Sequence, residues 1–121
     1  MSKYWGYHLM LDCARCDISA VTDPDNIKRF VDELVVTIDM IPYGDTHVVH
    51  FATHSEDKAG WSFFQMIETS NISGHMVDHN GDGYFDIFSC KPFDIGLVED
   101  TVNKYFRPES IRVNYLTRHA D

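Results

Sequence analysis

The chain has 121 residues, 44% of them hydrophobic and 13% aromatic, with a formal net charge of −9. That length and apolar content suit one globular domain with its own core, residues 1–121, and exclude a disordered tail. The negative charge argues against a nucleic-acid partner, whose phosphates it would repel, and fits a cationic small molecule or plain solubility.

No apolar run approaches the ~20 residues of a membrane-spanning helix. The opening Met1-Ser2-Lys3-Tyr4-Trp5-Gly6 has no apolar signal segment. Cys13, Cys16 and Cys90 make an odd count without such a segment, which points to reduced thiols and a cytoplasmic location. Cys13 and Cys16 form a lone CxxC. It lacks the strand-to-helix context of a redox pair and the second pair that zinc needs, so packing is the simpler reading.

In chain order, residues 4–12 alternate, with Trp5, Tyr7, Leu9 and Leu11 against His8, Met10 and Asp12: a strand. Asp23-Pro24 reads as N-cap and first helical position. Ile27, Phe30, Val31, Leu34 and Ile38 then form one apolar stripe of a helix that ends by Ile41, before Pro42 and Gly44. Residues 46–53 read as a strand, 55–60 as a polar loop, and 61–69 as the most apolar strand. Asn80-Gly81 predicts a two-residue type I′ hairpin turn between strands 71–78 and 83–90. A second helix covers 94–106, stopped by Pro108, and residues 110–116 alternate again. The order β-α-β-β-β-β-α-β predicts an α+β two-layer sandwich, an antiparallel sheet with two helices on one face. The uncovered face is then a candidate dimer or substrate surface.

Three stretches carry candidate chemistry. Asp78-His79-Asn80-Gly81-Asp82-Gly83-Tyr84-Phe85-Asp86 resembles the start of a calcium loop. Ser89 stands where the bidentate Glu belongs and the flanks read as strands, so turn chemistry explains the same residues better. His47, His50 and His54 invite a metal. On a strand His47 points away from the other two, so half-exposed histidines are the simpler reading and no metal site is expected. The third stretch is Ser70, His75 and Cys90. A two-residue Asn80-Gly81 turn sets His79 opposite Asp82, His75 opposite Asp86 and Asn71 opposite Cys90. Cys90 then returns beside Ser70, and a hydroxyl, a thiol and an imidazole share one neighbourhood.

At these residues the chain resembles the short bacterial and archaeal type of pyruvoyl-dependent S-adenosylmethionine decarboxylase proenzyme, including copies carried by bacteriophages. The resemblance rests on Ser70, on His75 five residues later and on Cys90 fifteen after that, with Ser62 eight before Ser70. Asp86 before the cysteine and Gly6-Tyr7-His8-Leu9 near the start also match. It implies that Ser70 attacks the Thr69 carbonyl, that an N→O acyl shift gives an ester, and that β-elimination splits the chain into 1–69 and 70–121. His75 and Ser62 would assist. Ser70 would become a pyruvoyl cofactor that forms a Schiff base with S-adenosylmethionine and takes up electrons as carbon dioxide leaves. Cys90 would return the proton, and the product would donate the aminopropyl group of spermidine. A homodimer of processed protomers is implied, with sites near the subunit interface.

The chain departs from the family at several places. Thr69 stands where Glu or Lys is common. Val77-Asp78-His79 replaces an aromatic-Pro-Glu run, so Asp78 stands in for the substrate-holding Glu. Phe51 is the candidate for the aromatic that stacks on adenine. Lys91 replaces the glycine after the cysteine. These changes touch substrate recognition more than pyruvoyl chemistry. They leave open a pyruvoyl-dependent ornithine or arginine decarboxylase, and an unprocessed, non-enzymatic dimeric binding protein.

Overall fold

The computed structural model describes residues 4–121; residues 1–3, which open the signal-segment argument, lie outside it. Strand β1 (Gly6–Ala14) buries Tyr7, Leu9, Leu11 and Cys13 and turns His8, Met10 and Asp12 the other way. Helix α2 (Pro24–Thr37) begins where Asp23 accepts hydrogen bonds from the Asp25 and Asn26 amides. That satisfies amides the first turn leaves unpaired. Its stripe of Ile27, Phe30, Val31, Leu34 and Val35 is buried. Helix α3 (Ile95–Phe106) is capped by Asp94, whose carboxylate accepts from the Leu97 amide, and ends on Arg107 in the left-handed region at φ 48°.

The remaining strands are β2 (Pro42–Phe51), β3 (Gly60–Ile67), β4 (Ser70–Val77), β5 (Gly83–Ser89) and β6 (Ser110–Arg118). They form one six-stranded sheet in the order β2-β3-β4-β5-β1-β6, with every neighbouring pair antiparallel. The core lies between one sheet face and the helices. Phe30 is its hub, with ring centroids 6.1 Å from Phe63, 5.6 Å from Phe85 and 4.9 Å from Phe106. Full burial of such a ring contributes roughly 1.5–3 kcal/mol. The opposite face has no helix over it. It exposes Val49, Phe51, Phe64, Met66, Tyr84 and Leu116.

The α+β sandwich agrees with the sequence reading, with local corrections. A short helix α1 (Ile18–Val21) is present, so the helices number three among the described residues. Its cap is Asp17, which accepts from both the amide and the hydroxyl of Ser19; four residues are too few to show an apolar period. Trp5 precedes β1 and leaves the core-facing row, its ring 5.9 Å from Phe88 on the open face. Pro42 starts β2 instead of merely closing α2. Asp39, in the left-handed region at φ 58°, ends the helix turn first. No helix among the described residues is long and apolar enough to cross a membrane.

Candidate active site

The β4–β5 hairpin sets the site, and its register differs from the expected one. Met76 pairs with Gly83, His75 with Tyr84 and Ser70 with Ser89. Every pair has slipped by two residues, because Asn80-Gly81 is not a two-residue turn. The loop holds four residues, 78–81, closed by a Val77 N–H to Asp82 O bond of 2.8 Å. Only Gly81 takes positive φ, 80°. The loop docks on the β1–α1 corner, where the Cys16 amide donates to Gly81 O at 2.8 Å and a Cβ on residue 81 would lie 2.4 Å from Cys16 O. Asn80 and Asp82 act as turn residues, the Asp82 amide donating to Asn80 Oδ1 at 2.8 Å. A slip of two preserves which face each side chain takes. It moves Cys90 from opposite Asn71 to opposite Thr69.

The Thr69-Ser70 bond closes the preceding hairpin. Ile67 pairs with Ser70, so Glu68-Thr69 is a two-residue turn. Tight hairpins favour turns with positive φ at their central residues. Neither Glu68 nor Thr69 has one; the unusual value falls on Ser70, at φ 153°. Such a backbone costs about 1–3 kcal/mol and persists only when neighbours enforce it. Here the neighbours are the residues that follow β5. The Cys90 amide donates to the Thr69 carbonyl at 3.0 Å. The buried Ser89 hydroxyl donates to Thr69 Oγ1 at 2.7 Å, and Thr69 Oγ1 donates to Met40 Sδ at 3.3 Å. Lys91 ties this segment to the end of α2, its ammonium 2.7 Å from an Asp39 carboxylate oxygen. That hydrogen bond and charge hold the Asp39 carboxyl below its ordinary pKa. Ser70 Oγ accepts from Asn71 Nδ2 at 3.2 Å.

Ser62 and His75 are register partners on β3 and β4, and Ser62 Oγ lies 2.7 Å from His75 Nδ1. His75 Nε2 lies 2.7 Å from the Lys58 carbonyl. A carbonyl can only accept, so Nε2 carries the proton and Nδ1 is free to accept from the Ser62 hydroxyl. The pair is a base with its hydroxyl aligned. It is not beside Ser70, contrary to the expected shared neighbourhood of hydroxyl, thiol and imidazole. His75 and Ser70 are five residues apart on one strand, roughly 17 Å at the strand rise, and odd spacing sends their side chains to opposite faces. The structure therefore brings together two half-sites: Thr69, Ser70 and Cys90 at one end of β4, and Ser62 with His75 near the other.

Phe51 lies near the second half-site. It shares with His47, Val49, Ser62 and Phe64 an apolar depression of about 300 Å³ on the open face. Asp78 points elsewhere. One of its oxygens lies 2.5 Å from His50 Nε2, and the His50 ring is tilted against Trp61 with centroids 5.0 Å apart. The other oxygen is buried without a partner among the described residues. His47 and His50 take opposite faces, as the strand period requires, since His47 pairs with Phe64 and His50 with Trp61. His8 and Asp86, 3.0 Å apart on the open face, form a pair that periodicity could not signal. Met40 and Ser89 were missed as site residues because nothing local marks them. Cys13 and Cys16 are buried together, and a hydrogen bond between the thiols, with burial, pushes Cys13 well above its ordinary pKa.

Known proteins resemble this chain over most of its length. A family profile described as S-adenosylmethionine decarboxylase matches residues 7–119. Proteins named S-adenosylmethionine decarboxylase proenzyme from Clostridium botulinum strains Hall and Langeland are 30% identical over 93 residues, covering 76% of this chain and 75% of theirs. The crystal structure of the adenosylmethionine decarboxylase from Aquifex aeolicus superposes with a TM-score of 0.81 over 99% of this chain and 95% of that one, at 18% identity. That likeness concerns the fold.

Proposed function

The chain belongs to the S-adenosylmethionine decarboxylase family, and on that premise we propose that it decarboxylates S-adenosylmethionine after cutting itself between Thr69 and Ser70. The product is the aminopropyl donor for spermidine. The observation that carries the reading is the Thr69 carbonyl, which receives the Cys90 amide at 3.0 Å beside a Ser70 held at φ 153°.

The Ser70 hydroxyl adds to the Thr69 carbonyl, the Cys90 N–H stabilising the oxyanion that develops, as preorganised donors do. The C–N bond breaks, the Ser70 nitrogen takes up the proton, and an ester forms. Loss of the Ser70 Cα proton and cleavage of its Cβ–O bond releases residues 1–69 as a carboxylate. Tautomerisation and hydrolysis by one water then release ammonia and leave a pyruvoyl group at the start of residues 70–121. The residues suit that group, because position 70 stays held through its strand pairing with Ser89. The pyruvoyl group supplies a carbonyl electron sink for loss of carbon dioxide. Cys90, exposed at the same end of β4, holds on Sγ the proton that the decarboxylated carbon needs.

Ser62 and His75 serve as base and relay for the cleavage, but from a second copy of the chain. The roughly 17 Å between His75 and Ser70 along one strand excludes direct action within a chain. A homodimer joined through the open faces would let each copy's Ser62–His75 pair approach the other's Thr69-Ser70 bond. The exposed Phe51, Phe64, Met66 and Leu116 support such a contact. Phe51, beside Ser62, is positioned for the adenine. Asp78, turned to His50, takes a substrate role only if its loop reorients.

Intact mass of the denatured protein tests the reading. Two fragments are expected, and a single 14.0 kDa species would sink it. Carbon dioxide release from S-adenosylmethionine, measured against ornithine and arginine, then tests the substrate. Family membership does not favour the basic amino acids or an unprocessed binding protein.

A further inference from the structure

We infer that Ser89 is a positioning residue for self-cleavage, acting through the hydroxyl of Thr69; the inference rests on the cleavage reading above. Ser89 is fully buried, and its hydroxyl sits in a hydrogen-bonded cluster with Thr69 and Met40. The Lys91 amide donates to Ser89 Oγ at 3.0 Å, Ser89 Oγ donates to Thr69 Oγ1 at 2.7 Å, and Thr69 Oγ1 donates to Met40 Sδ at 3.3 Å. Ser89 Oγ also lies 3.7 Å from Met40 Sδ, so the sulfur accepts from either hydroxyl while the 2.7 Å bond between the two hydroxyls persists.

Among the described residues, the bonds to Ser89 and Met40 are the hydrogen bonds that hold the Thr69 side chain. Glu68-Thr69 is a two-residue turn without the positive φ such turns favour. Left to itself, the Thr69 peptide plane would rotate toward a relaxed turn and carry its carbonyl away from Ser70. Consecutive residues prevent this from two sides. Ser89 holds the Thr69 side chain, and the Cys90 amide, one residue on, holds the Thr69 carbonyl. With both ends of the residue gripped, the carbonyl keeps one orientation and Ser70 keeps its strained backbone. The grip works before any bond breaks, so it governs the rate of the acyl shift. It also gives residue 69 a part of its own, since its β-hydroxyl speeds the shift.

The test is a double-mutant cycle read by timed intact mass on freshly purified chain. Ser89→Ala and Thr69→Val each remove one hydroxyl and are expected to slow cleavage by about tenfold, the share of one buried hydrogen bond. The double variant should be no slower than either single, because both act through one bond. Ser89→Thr and Thr69→Ser keep the hydroxyls and should cleave within about twofold of the parent, which a loss of packing would not explain. Should Ser89→Ala fail to fold, Thr69→Val at the half-buried turn carries the test with its serine counterpart. Singles that cleave at the parent rate, or a double variant slowed by the product of the two, would overturn the inference. A parent chain that never splits would instead remove the cleavage reading beneath it.

Discussion

Gly60→Ala is expected to separate the two strands that align Ser62 with His75. Gly60 opens β3 and pairs with Val77, two positions along from the Ser62–His75 pair. Its φ is ordinary, so the demand is for space alone. A Cβ there would lie 1.6 Å from the Met76 carbonyl oxygen and 2.7 Å from its carbon, where real contacts stay beyond 3.0 Å. The obstacle is backbone, so the start of β3 must retreat by about 1.4 Å. A similar displacement carried to Ser62 stretches its 2.7 Å bond to His75 past hydrogen-bond range. Overpacking of this kind costs about 1–3 kcal/mol and the lost hydrogen bond about 1 more. That is a large part of the ~5–15 kcal/mol holding an ordinary domain. The melting temperature should fall by roughly 10 °C. Misplacement of an aligned group by an ångström slows chemistry by about a hundredfold, so cleavage followed by intact mass should slow by that order. An unchanged melting temperature would refute the close approach of β3 and β4. A lowered one with cleavage at the parent rate would refute the role of the Ser62–His75 alignment.

Ser70→Ala should remain a single 14.0 kDa chain, and any fragment ending at residue 69 would displace Ser70 as the nucleophile. His75→Ala alone should also stay intact, yet its chain should split when co-expressed with Ser70→Ala, which supplies a working imidazole from the partner copy; no fragments in the mixture would argue against a shared site. Cys90→Ala should still cleave, since the Thr69 carbonyl uses the backbone amide, but turnover of S-adenosylmethionine should fall by at least tenfold, and full turnover would remove the thiol from the proton step. Phe30→Ala should lose about 3–5 kcal/mol in denaturant unfolding, and a loss under 1 kcal/mol would contradict its place at the hub. The Ser19 hydroxyl and then the Arg107 guanidinium hold the Asp17 carboxyl down to about 2. A carboxyl depressed on folding adds stability above its ordinary pKa and loses it as pH falls through the lowered value. The melting gap between parent and Asp17→Asn should therefore be full above about pH 4 and close toward pH 2; a gap unchanged at pH 2 would contradict the pairing.

What the sequence revealed depended on how local each signal was. Alternation in Tyr7-Leu9-Leu11 and the stripe from Ile27 to Leu34 are local patterns of burial, and both elements formed where they predict. The Asn80-Gly81 turn was misread because its geometry is decided by a distant contact. The Cys16 backbone holds Gly81 and opens the loop to four residues, and no local rule contains that information. The error left Cys90 beside the Thr69-Ser70 bond, since a slip of two keeps it on the same face. Ser70, His75 and Cys90 were singled out by the spacing of a known family, yet spacing along a strand also shows that His75 cannot reach Ser70 within one chain. Ser89 and Met40 escaped notice because a buried serine and a core methionine have no periodic mark. Only the fold, by closing two hairpins on one another, brings them to Thr69.

The strand order has a consequence for the proposed cleavage. Residues 1–69 contribute β1, β2 and β3, and residues 70–121 contribute β4, β5 and β6, but the sheet runs β2-β3-β4-β5-β1-β6. The two pieces are interleaved, and the seams β3–β4, β5–β1 and β1–β6 all join one piece to the other. Breaking one peptide bond thus removes a tether and leaves three seams stitched. The pieces cannot drift apart without tearing the sheet at all three, and β1 cannot be withdrawn alone because both its neighbours belong to the other piece. Once torn, the two pieces could re-form only by meeting in solution, which adds a concentration-dependent step that a continuous chain does not need. The proposed cut would turn one continuous chain into an assembly of two pieces held by the sheet alone.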